Sequence, residues 1–231
     1  MAGESAFDKR HVEAGTLDEV EGLLEHLNLP PAAISYIRKN KTILQIVAAL
    51  VIMAVVAWSL YGSYREKRIE KASSALAVAI QQGPSERAAA LDKVVADFSG
   101  TSSAIWAKVE LAHLDVQNGK FAEAAGKYSE IKNDIETDNP LYGLAVFGIA
   151  QAKEANHDDK EALEAYQLLK DIEGYQTVGY TGIARIQEAK GEIAKAIETL
   201  NGYLTSLAGT PATDPNKRLA EEMLARLKAR Q

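Results

Sequence analysis

The sequence predicts an all-α chain, in which a single N-terminal transmembrane helix precedes an α-solenoid of about three to four helix pairs with a C-terminal capping helix. Three observations predict it. Ile43 to Tyr61 is a run of nineteen residues with no charged side chain. Elsewhere, period-two alternation of apolar and polar residues is nearly absent, which argues against a sheet. Small residues also recur at spacings of 38 and 34, the length of one helix–turn–helix unit.

The apolar run comes first because it divides the chain. At helical rise it covers about 29 Å, the thickness of a bilayer's hydrocarbon core. Gln45 and Ser59 are its polar residues and both lie near an end. Tyr36 on one flank and Trp58, Tyr61 and Tyr64 on the other suit the interfacial zones. Two other readings compete. A buried core helix of a soluble domain is usually shorter, and a cleaved signal peptide does not sit behind about forty preceding residues. An uncleaved anchor over residues 42–62 is the expectation.

Charge and composition narrow the function classes. The 231 residues carry a net charge of −6 and no cysteine. Disulfides and thiolate chemistry are thereby excluded, although oxidising and reducing compartments remain equally open. Neither flank of the anchor is basic enough to suggest a nucleic-acid partner. Arg38, Lys39 and Lys41 precede the run, and Arg65, Lys67, Arg68 and Lys71 follow it, so charge counting does not orient the anchor.

Residues 1–41 form a head in which 1–15 are small and polar and are expected to be disordered. Thr16 and Glu19 have the spacing of a capping box. Leu17, Val20, Leu23, Leu24 and Leu27 then line one side of a short amphipathic helix at 16–28, opposite Asp18, Glu21 and Glu25. Pro30-Pro31 ends it. Its acidic face suits a protein groove better than an anionic membrane; a helix that orders only in context is the other reading. Beyond the anchor, residues 63–82 form a helical extension with no breaker before Gly83-Pro84, and 83–231 form the repeat domain.

The repeats are legible residue by residue. Leu111-Ala112, Ile149-Ala150 and Ile183-Ala184 are followed by Gly119, His157 and Gly191, and then by Ala124, Ala162 and Ala196. Tyr128, Tyr166 and Leu200 come four positions after those alanines. A degenerate earlier copy places Ala90 another 34 residues back. Alanine lets two helices cross closely, the larger residue fills the groove and glycine opens the turn. This is the tetratricopeptide pattern of antiparallel helix pairs. After Thr210–Pro215, Asn216 to Arg230 carries Leu219, Met223, Leu224 and Leu227 as a capping helix that shields the last repeat.

No constellation for chemistry stands out. His11, His26, His113 and His157 are not at ligand spacing and lack a cysteine to complete a zinc site. Asp158-Asp159 and the Asp134–Asp138 loop lack the alternating ligands of a calcium loop. No phosphate loop or nucleophile elbow is present. The reading is of no enzyme, no metal, no cofactor and no small-molecule substrate. The usable surface is the concave side, lined by the first helix of each unit. Its candidate partner-binding residues are Trp106, Val109, His113, Phe147, Gln151, Thr181 and Arg185, mainly apolar or neutral, which suits extended or helical polypeptide. Alternatively, Trp106 and Phe147 fill the repeat core.

The anchor, the Arg65–Lys71 run leading to Ala72-Ser73-Ser74-Ala75, and the units around Leu111-Ala112, Gly119 and Ala124 together resemble the ancillary subunit family of the bacterial SecYEG translocon. The likeness covers about Lys41 to Leu204; the head is longer than that family's usual head. The resemblance implies a single-pass protein of the bacterial inner membrane, with its N-terminus cytoplasmic and its repeats periplasmic. Its partners would be the SecYEG translocon, chaperones or client polypeptide, with membrane lipid around the anchor. An accessory structural subunit of another inner-membrane complex is the alternative.

Overall fold

A computed structural model describes residues 30–230. The short helix expected at 16–28 lies outside the described residues. Ten helices and no strand are present among those described. They fall into two units that divide at Tyr64/Arg65.

In the first unit, α1 (Pro31–Lys39) starts with proline at its first turn, where the missing N–H costs nothing. Pro31 thus opens a helix. Asn40 ends it, with both its backbone N–H and its side-chain amide bonded to the Tyr36 carbonyl. Helix α2 (Lys41–Gln81) follows. Its apolar stretch has a mean hydropathy of 2.5, and none of it is buried, so α2 is long and apolar enough to cross a membrane. Exposure of Ile46, Leu50, Ile52 and Val55 argues against a core helix, whose apolar side chains would be covered.

The second unit is the solenoid. The end of α2 pairs with α3 (Pro84–Asp97), α4 (Ser102–Gln117) with α5 (Phe121–Asp134), α6 (Leu141–Ala155) with α7 (Asp159–Leu169), and α8 (Gln176–Ala189) with α9 (Ile193–Ser206). Helix α10 (Pro215–Lys228) covers the last pair, burying Leu224 and Leu227 with Ala184, Ala196 and Leu200. Thr101 caps α4 and Asp214 caps α10 by accepting backbone N–H bonds. Arg68 of α2 donates to the Asp97 and Ser99 carbonyls, satisfying orphan groups at the end of α3.

The first helices α4, α6 and α8 end in the same way. The N–H groups of Lys120, Asp158 and Glu192 reach back five residues to the carbonyls of Asp115, Lys153 and Gln187 at 2.8, 2.9 and 2.8 Å. Gly119, His157 and Gly191 occupy the left-handed position that this closure requires, at φ of 73°, 61° and 79°.

The core is a chain of small clusters strung along the stacked helix pairs. Ala90, Ala124, Ala162 and Ala196 sit at the helix crossings, the last three fully buried. Tyr128 and Tyr166 fill the groove beyond them and pack onto the first helix of the next unit. A methyl group on Gly148 would lie 2.6 Å from the Tyr128 ring, and one on Gly182 would lie 2.4 Å from Tyr166. The tyrosines and these glycines therefore fit only each other.

Candidate functional site

The exposed face of the first helices α4, α6 and α8 is built from positions that repeat with the unit. Val109, Phe147 and Thr181 occupy one such position, and His113, Gln151 and Arg185 the next, one helical turn on. The second set is exposed on all three helices, whereas the first set lies deeper.

The candidate residues therefore divide. Trp106 on α4 is 42% exposed, a large apolar side chain that the core does not absorb. His113 and Gln151 are exposed and neutral in type, apart from the titratable imidazole. Phe147 is half-buried and packs beside Tyr175, with ring centroids 6.4 Å apart. Val109 does not line an open surface: it is buried with Ala112, Tyr128, Ile131 and Ala145. Thr181 is also buried, and its hydroxyl donates to the Thr177 carbonyl of its own helix at 2.7 Å. Both are short side chains at the inner of the two positions, where they are covered by the neighbouring helices.

Arg185 reaches the face but is not a free cation. Its Nε and Nη2 donate to the two carboxylate oxygens of Glu154 at 2.6 and 2.7 Å, a two-pronged pair. Nη2 also donates to the Tyr166 hydroxyl at 2.9 Å, and that hydroxyl donates to Glu154 at 2.6 Å. Burial alone favours the protonated Glu154 carboxyl, yet the bonds from Arg185 and Tyr166 and the Arg185 charge together hold its pKa below the usual value. Burial and the Glu154 contact push the Tyr166 phenol well above its ordinary value, so it stays a donor. One junction on, Glu188 of α8 pairs with Arg226 at 2.7 Å and with Arg230 beyond α10. Arg185 and Glu188 of α8 are thus both paired internally, and α4 keeps the exposed indole.

Sequence reasoning passed over Glu154, Tyr166's hydrogen bonds and Glu188. A signal was present: Glu154 and Glu188 are 34 residues apart, the unit length. Their partners lie on the next first helix or on the cap, and no spacing rule names such a partner. Among the described residues, no group of three or more His, Asp or Glu side chains is arranged to hold a metal ion.

Paired helices stacked by small-residue crossings, ended by repeated left-handed turns and closed by a polar cap define an α-helical repeat solenoid. The chain belongs to the tetratricopeptide repeat-like domain family, whose model matches residues 35–171. No curated protein sequence matches it. Among solved structures, the nearly identical TPR-like repeats of a Podosopora anserina candidate kinesin light chain are similar in fold. The TM-score is 0.52 and the identity 22%, covering 72% of this chain and 86% of that one. A single-substitution variant of the same protein gives the same values, with 22% identity and a TM-score of 0.52. At that identity the likeness concerns the fold.

Proposed function

We propose that this chain is a membrane-anchored scaffold that acts by contact and not by catalysis, and that its first-helix face receives an apolar segment of a polypeptide partner. The observation that carries this reading is Trp106, 42% exposed on a face whose other half has its charges paired. An exposed indole suits an apolar anchor residue of a partner. Carboxylate recognition by Arg185 would require breaking its bond to Glu154. Interaction scaffolding is the typical use of the family's fold.

The resemblance to the translocon's ancillary subunit supplies the finer proposal. The N-terminus lies in the cytoplasm, α2 spans a bacterial inner membrane, and the periplasmic solenoid meets SecYEG, its chaperones or emerging client. Anchoring would raise the local concentration of the groove, so a weak contact suffices. The test is affinity purification from detergent-solubilised membranes, comparing wild type with Trp106→Ala. Translocon subunits with wild type and about tenfold less with the variant are expected, at unchanged melting temperature. Recovery of an unrelated stoichiometric complex would replace the translocon by an accessory role elsewhere. Unfolding of the variant would return Trp106 to the core and remove the groove reading.

A further inference from the structure

The two ends of the solenoid are not alike. At the C-terminal end, α10 lies over α8 and α9, burying Leu200 and Leu227 fully and Leu224 nearly so. At the other end, α2 and α3 leave open a mainly apolar cleft of about 350 Å³, lined by Ala75, Val78, Ala79, Ala90, Val94 and Phe98 together with Ser74, Lys93 and Asp97.

The chain itself shows what such a cleft takes. Leu111, Ile149 and Ile183 each precede the buried alanine of a first helix, and each packs against the second helix of the unit before. In the first helix pair the buried alanine nearest that position is Ala79, and the preceding residue is Val78. Among the described residues no helix pair precedes Val78, which is 56% exposed. The donor side of the same junction is also defined. Helix α5 brings Ala124, Tyr128 and Ile131, and α7 brings Ala162, Tyr166 and Leu169, a small residue followed by large apolar ones four and seven positions later.

We infer that the α2–α3 end face is a docking site for one amphipathic helix of a partner protein, carrying a small residue and then large apolar residues four and seven positions on. It would continue the interface that the solenoid repeats internally. A second copy does not supply this helix by head-to-tail stacking, because the outer side of α9 is already covered by α10. The site is separate from the Trp106 face and does not depend on what that face binds.

The probe is a labelled peptide of residues 121–134, held helical by a staple between the outward positions of Gly126 and Glu130. Its binding to the detergent-solubilised full chain is read by fluorescence anisotropy. Binding that falls at least tenfold with Val78→Asp, persists with Trp106→Ala and vanishes for a peptide carrying Tyr128→Ser and Ile131→Ser is the expected result. Val78→Asp should leave the melting temperature unchanged, since the side chain is exposed. No binding by wild type, or equal binding by Val78→Asp, overturns the inference. So does a wild-type dimer that Val78→Asp makes monomeric, which would assign the face to self-association.

Discussion

At His157 a side chain with a β-carbon sits where its two counterparts are glycine. The backbone there is left-handed, at φ 61°, because the N–H of Asp158 must reach the Lys153 carbonyl. For an L-residue that conformation costs about 1–2 kcal/mol, while glycine's larger unfolded-state entropy returns about 0.5–1 kcal/mol of the gain. His157→Gly is therefore expected to raise stability by about 0.5 kcal/mol, measured by urea unfolding of the detergent-solubilised protein. A clear loss of stability would show that the imidazole makes a contact this backbone argument ignores. The turn was readable from the sequence, since His157 aligns with Gly119 and Gly191. The burial of Val109 and Thr181 was not readable, because repeat spacing identifies a helix face but not how deeply the neighbouring helix covers it.

Between elements, the fit of tyrosine to glycine decides how closely successive units stack. Tyr166 is fully buried, and its hydroxyl is held by Glu154 and Arg185, so its ring has little freedom to withdraw from an added methyl. Gly182→Ala should then cost about 1–3 kcal/mol through overpacking. Gly126→Ala makes the same chemical change in α5, where nothing lies within 4 Å, and is expected to stabilise by about 0.5–1 kcal/mol. Thermal unfolding of the pair separates packing from helix propensity, and equal effects would remove the packing account. The matching glycines stand directly before Ile149 and Ile183 and recur at the unit length, so the pattern was in the sequence. Which tyrosine each accommodates depends on how the units are stacked.

For the whole molecule, the ion pairs matter by joining one unit to the next. Glu154 links α6 to α8, and Glu188 links α8 to the cap. Because the folded-state pKa of Glu154 lies below its ordinary value, its contribution is present above the usual carboxylate pKa and is lost as pH falls through the depressed one. Arg185 is half exposed, which limits the pair's contribution to about 1 kcal/mol. Glu154→Gln should therefore be less stable than wild type at neutral pH, with the difference closing on acidification below the usual carboxylate range. Denaturant midpoints measured across that range test this. A difference independent of pH would mean that shape, and not charge, holds the junction.

The sequence by itself determined the class of this protein. Nineteen uncharged, mostly apolar residues specify a helix fit for a bilayer, and small residues at 34- and 38-residue spacing specify stacked helix pairs; both patterns are local or periodic. Tertiary structure alone decided which side chains reach the surface. It buried Val109 and Thr181, turned Trp106 outward, tied Arg185 to Glu154 and left Val78 exposed. The physical reason is that exposure and pairing depend on the helix packed alongside, and in this fold that helix lies 20 to 40 residues away along the chain.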